Sequence, residues 1–102
     1  MANTRKLDRE IAAIQQKLAA VGKRELWPLK GSERRAIVRA AAAGAAKVAR
    51  GKSPARADRA LENAWADAAT RLQVELKIVT NAREQVITEA AAAQQARGNR
   101  RW

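Results

Sequence analysis

The chain is expected to be all-α, a helical hairpin or three-helix bundle with a long C-terminal helix, in a single domain. Three observations predict this. Alanine supplies 26 of the 102 residues, and no residue has a higher intrinsic helix propensity. Apolar residues recur every three or four positions through three stretches, the period of an amphipathic helix. Of the five glycines and two prolines, all but Gly44 fall between those stretches or at their ends. A length of 102 residues suits one domain.

The first helix is expected over residues 4–21. Leu7, Ile11, Ile14, Leu18 and Val21 form a stripe about 80° wide, a helix–helix seam. Asn3 or Thr4 can cap its start, and Gly22 is the expected stop. Residues 22–31 form a connector, because Pro28 cannot continue a helix and pushes Trp27 towards an extended conformation. Trp27 is expected to plug one end of the bundle, or else to anchor a partner.

The second helix is expected over residues 32–50, with Ser32 as N-cap, Glu33 favourable to the dipole, and Gly51 as the stop. Ile37, Val38, Ala41, Ala45 and Val48 are read as its apolar face. Arg35, Arg39, Lys47 and Arg50 fall on the opposite side, within about 120°. Gly44 costs about 1 kcal/mol relative to alanine, which points to a close helix crossing there.

The third helix is expected over residues 54–97. Ser53 is the N-cap and Pro54 stands at N1. The stripe Leu61, Trp65, Ala68, Leu72, Leu76, Val79, Val86 and Ala90 keeps a mean spacing near 3.6, interrupted by Arg83. Asp67, Arg71 and Glu75 make an i, i+4 ladder. Leu72–Ile78 alternates like a strand, but nothing else alternates to pair with it. A break near Thr80-Asn81, where Asn81-Ala82-Arg83-Glu84 resembles a capping box, would fold the last segment back. One unbroken helix of roughly 60–65 Å is the preferred reading. Val74 and Ile78 lie away from Leu72, Leu76 and Val79, and a helix apolar on two sides is covered on two sides. Self-association, or docking into a larger assembly, is therefore expected. Leu72, Leu76 and Val79 are candidate partner contacts, with Trp27 and the terminal Trp102.

Charge carries the functional signal. The net charge is +11, concentrated towards the front of the chain. Residues 31–53 hold six Lys/Arg against one acid, whereas residues 54–96 hold five against six. Such a field gathers polyanions. The candidate nucleic-acid contacts are Arg35, Arg39, Lys47, Arg50, Lys52, Ser53, Arg56 and Arg59, in a basic cluster that also includes Arg34. They surround a short turn between two helices, the layout of a helix–turn–helix. Ser53, Lys52 and the following helix N-terminus could hold a phosphate. A solvated charged face and an acidic protein partner are the competing readings.

No His, Cys or Tyr occurs, which removes the usual general base, nucleophile and metal ligands. There is no Gly-rich phosphate loop and no paired-carboxylate motif. No catalytic residue, metal or cofactor is assigned, and the chain is read as non-enzymatic. No apolar run approaches the roughly 20 residues of a membrane span, and charges at Asp8, Arg9 and Glu10 disfavour a secretory leader. A cytoplasmic location is expected. The function expected is a small basic nucleic-acid-binding or regulatory protein that contacts phosphates at the corner between helices 2 and 3. The alternative is a structural or adaptor protein, such as a phage-particle component, docking through its long helix and termini.

Overall fold

A computed structural model of the protein describes residues 3–99. The fold is all-α, with helices α1 (Arg5–Gly22), α2 (Gly31–Ala49) and α3 (Ala55–Asn99) packed on one another and no strand among the described residues. The basic tail Arg100-Arg101 and Trp102 lie outside the described residues. Helix α3 runs unbroken for 45 residues; Asn81 stands in mid-helix and caps nothing.

The ends are set by local chemistry. At the start of α1, Asn3 Oδ1 accepts the Arg5 N–H at 3.3 Å, and the Thr4 hydroxyl donates to Asp8 Oδ2 at 2.9 Å. The far end corrects the expected stop. Gly22 is still helical, and the left-handed residue is Arg24, with φ of 63°. The Glu25 N–H reaches the Ala20 carbonyl at 2.9 Å and the Arg24 N–H reaches that of Val21 at 3.0 Å, which is a Schellman closure. A non-glycine there costs about 1–2 kcal/mol. At the end of α2 the same closure uses Gly51, with φ of 70°. The Lys52 N–H bonds to Lys47 and the Gly51 N–H to Val48.

The N-cap of α2 is Lys30 rather than Ser32. The Lys30 N–H donates to Glu33 Oε1 at 2.9 Å, so an acid at the third helical position closes the turn. Helix α3 begins one residue later than expected. The Ala55 N–H reaches Ser53 Oγ at 3.3 Å, and the Pro54 carbonyl accepts from Asp58 N–H.

Contacts divide the chain into two units. The first comprises residues 17–73: the end of α1, all of α2 and the front of α3. Its core is Ala20, Val21, Leu29, Ile37, Ala57, Trp65, Ala68 and Leu72, of which Leu72 is 0 % exposed. Leu72 is therefore packed inside its own chain and is not a partner contact. Trp27 does not plug the bundle, the first of its two expected roles: it is 55 % exposed, as the second role, anchoring a partner, requires, and its indole N–H is tied to Glu25 Oε1 at 2.9 Å. Pro28 and Leu29 are buried in its place. The reason is size: the connector tucks in its small ring and aliphatic chain, and leaves the indole outside.

The packed face of α2 is rotated from the one read in the sequence. Glu33, Ile37, Ala40, Gly44 and Lys47 are covered or half-covered, whereas Val38, Ala41, Ala45 and Val48 are exposed. Glu33 decides this rotation. Arg71 of α3 donates Nε–H to Glu33 Oε2 at 2.7 Å and Nη2–H to Oε1 at 2.8 Å, and a third bond, at 3.4 Å, reaches the Pro28 carbonyl. Arg71, read as the middle rung of a ladder along α3, thus also clamps the start of α2. The two side chains are only 20 % and 15 % exposed, and bidentate geometry is the strong form of this pairing.

Gly44 is buried, but the space does not require glycine. A Cβ there would stand 3.5 Å from Ala57 Cβ, an ordinary contact. Gly44→Ala is expected to raise stability by up to about 1 kcal/mol through helix propensity, measured as a higher urea midpoint with unchanged slope.

The second unit comprises residues up to 16 and from 74 onward. Among its described residues Ile14 alone is buried, while Leu7, Ile11, Leu76, Val79, Val86 and Ile87 are half-covered. Arg83, the interruption in the α3 stripe, donates Nε–H to Asp8 Oδ1 of α1 at 2.7 Å. The charge in the seam thus has its counter-ion on the other helix. Val74 and Ile78 are 53 % and 62 % exposed, the second apolar side that the spacing implies.

Candidate nucleic-acid interface

The α2–α3 corner lies wholly within the first unit. Between Arg34 and Arg59 the chain carries eight cations and one acid, Asp58. Alanine builds both helices here, so the arginines stand on short-sided rods with little beside them to bond.

Arginines divide by what they meet. Arg24, Arg71 and Arg83 are paired with Glu62, Glu33 and Asp8. Arg35, Arg39, Arg50, Lys52, Arg56 and Arg59 are exposed and take no ion pair among the described residues. Only the first set bridges different helices or the connector. Charge that staples the fold is neutralised within it; charge on the corner has no such ion pair among the described residues.

Two of the expected contacts meet in space. Arg39 of α2 and Arg56 of α3 line one groove of about 420 Å³, floored by Ala36, Ala40, Ala43, Ala57, Ala60 and Ala64. Arg39 also borders a second hollow with Arg34 and Arg35, over Val38 and Ala42. Arg34 thereby joins the face, although one of its N–H groups is spent on the Leu26 carbonyl at 3.3 Å. Arg50 and Lys52 sit at the turn and line neither hollow, and Arg59 lines neither.

Two candidates change standing. Lys47 is half-covered on the packed side of α2, not on the open side with Arg35 and Arg39, because that side rotates with Ile37 and Gly44. Ser53 Oγ already accepts the Ala55 N–H, so its oxygen caps α3, leaving the hydroxyl proton for a phosphate. Of the remaining candidates, Leu76 and Val79 are half-covered within their own unit.

A cluster the sequence did not disclose lies on the other side of α3. The Arg24 guanidinium stands 5.3 Å from the centre of the buried Trp65 ring and bonds Glu62 Oε2 at 2.6 Å. Such a stack contributes about 0.5–1 kcal/mol at an open site, comparable with the backbone cost at Arg24. Nothing in the local sequence could reveal it, since the partners are 38 residues apart.

Glu33 and Asp8 both hold their protons less tightly than usual. The Arg71 hydrogen bond lowers Glu33 most, against a desolvation effect in the opposite direction. Arg83, then Thr4, lowers Asp8. Among the described residues no three acids, His or Cys gather to hold a metal, and no helix is long and apolar enough to cross a membrane.

No family model matches the chain, and no curated protein or solved structure is significantly similar to it.

Proposed function

We propose that this is a small nucleic-acid-binding or regulatory protein that grips phosphates with the α2–α3 corner. One observation carries the reading: the exposed cations of the corner lack counter-ions among the described residues, whereas the arginines that join its segments have them. Unpaired, solvent-facing guanidinium groups are poised to displace the counter-ions of a polyphosphate, and that release drives binding. Arg39 and Arg56 make the centre of the grip, flanked by Arg34 and Arg35.

The test is fluorescence anisotropy of a labelled 20-base-pair DNA over a salt series. Binding should weaken linearly in log–log form. Replacing Arg35, Arg39 and Arg56 by alanine should flatten the slope by roughly 2.7, at about 0.9 per lost phosphate contact, with helicity unchanged. An unaltered slope, or no binding at low salt, overturns the proposal.

A second reading has its own support. Val74 and Ile78 of α3 are exposed one turn apart, which suits an adaptor docking by its long helix into a larger assembly. Under that reading the cations meet acidic subunits or packaged nucleic acid.

A further inference from the structure

Trp27 is an aromatic ring left outside the fold, and it stands beside the cations of α2. More than half of it is exposed, at 55 %, in a chain with three tryptophans and no Phe or Tyr. Leaving so large an apolar group in water forgoes burial, the main stabilisation open to a small core. The indole N–H donates to Glu25 Oε1 at 2.9 Å. That bond uses the one polar atom of the ring, so what the side chain offers a ligand is its π surface. The other described tryptophan, Trp65, has its ring covered by the Arg24 guanidinium, and no cation covers Trp27 among the described residues.

Arg34 fixes where Trp27 stands. Its Nη2–H donates to the carbonyl of Leu26, the residue before Trp27, at 3.3 Å, which holds the connector against the first turn of α2. Arg34 is also one wall of the hollow that it shares with Arg35 and Arg39 over Val38 and Ala42. Arg39 in turn continues into the groove with Arg56. An exposed ring and a series of exposed guanidinium groups thus follow one another from the connector to the α2–α3 groove. Two acids share this stretch, but Glu33 is bonded to Arg71 and Glu25 to the indole.

Resting on the phosphate-contact reading above, we infer that the ligand is a single-stranded nucleic acid, with one unpaired base stacked on Trp27 and the adjoining phosphates on Arg34, Arg35 and Arg39. A cationic track joined to an aromatic platform is how single strands are held with little regard to sequence, because every base has a π face. A duplex can use the cations, but its bases are paired and stacked inside, and drawing one out onto a ring costs unpairing and unstacking. The floor of the hollow, Val38 and Ala42, carries no side-chain donor or acceptor to read a base edge. Selection is therefore for an unpaired base and not for a particular one.

The test is fluorescence anisotropy with two labelled probes, a 20-nucleotide thymidine strand that cannot pair with itself and a 20-base-pair DNA duplex, each over a salt series. Wild type, Trp27→Ala and Trp27→Phe are compared, all checked for native helicity. Trp27→Ala should bind the single strand at least about fivefold more weakly, the loss of one stacked base, and the duplex within twofold of wild type. Its single-strand salt slope should be unchanged, since stacking releases no counter-ion. Trp27→Phe, which keeps a ring, should stay within threefold of wild type on the single strand. A Trp27→Ala protein that binds the single strand like wild type overturns the inference and leaves phosphate contact intact, the result expected if the ring serves a protein partner. An equal loss on strand and duplex, or a loss in Trp27→Phe as large as in Trp27→Ala, overturns the stacking. Binding of the duplex without the single strand overturns this inference alone. Absence of binding to both probes overturns it and the proposed function together.

Discussion

Leu72→Ala is expected to lower stability by roughly 2–5 kcal/mol, the range for truncating a fully buried leucine. Leu72 is 0 % exposed and lies in the core that holds Trp65 and Ala68. Alanine dominates the helices, so few other large side chains share the load. At about 4–8 °C per kcal/mol for a domain of this size, the midpoint should fall by at least roughly 10 °C in a thermal melt followed by circular dichroism. Ile78→Ala is the internal control. Its side chain is 62 % exposed, so the change should stay within about 0.5 kcal/mol. A Leu72→Ala protein that melts with the wild type would show that the core of residues 17–73 is not built as described. A large loss at Ile78 would show that α3 is covered by a second chain in solution.

Glu33→Gln should cost about 1.5–3 kcal/mol at neutral pH, the range for hydrogen bonds to a charged group. The amide can still accept the Lys30 N–H, but it cannot balance the Arg71 guanidinium. The effect must depend on pH in a definite direction. Arg71 lowers the folded-state pKa of Glu33 below the ordinary value of 4.5. The wild-type pair therefore contributes fully above that ordinary value, and its contribution is lost as pH falls through the lower folded-state value. Chemical denaturation at pH 7 and pH 3 should show the two proteins converging in acid. A gap that stays constant would mean that the carboxylate charge contributes nothing. Asp8 shifts in the same direction through Arg83, so acid should also loosen the pairing of residues 3–16 with the back of α3.

Some features were legible because they depend on local chemistry alone. Three alanine-rich amphipathic stretches had to be helices, and Ser53-Pro54 and Gly51 marked ends to within a residue. Trp65 in its stripe had to be core, and the corner's excess of arginine could be counted. Other features depended on neighbours distant in the chain. The N-cap of α2 passed from Ser32 to Lys30 because Glu33 serves both Lys30 and Arg71. The end of α1 passed from Gly22 to Arg24, whose side chain finds Glu62 and Trp65. Periodicity set Leu72 on a different side of α3 from Val74 and Ile78, but hydropathy could not say which side is covered within the chain, since all three are aliphatic. The covered side of α2 was the least legible element. Alanine occupies most of its circumference, and methyl groups define no preferred face.

Composition and periodicity alone determined that this chain is helical, where its helices lie, and that its positive charge gathers between Arg34 and Arg59. Those properties come from intrinsic propensity, capping and counting, each acting over a few residues. Only the tertiary structure decided which arginines are spent within the protein and which stay exposed without an ion pair among the described residues. That division depends on whether a carboxylate from another helix lies within bonding distance, as Glu33, Glu62 and Asp8 do for Arg71, Arg24 and Arg83. Distance between helices is a property of packing, and nothing in the order of residues expresses it.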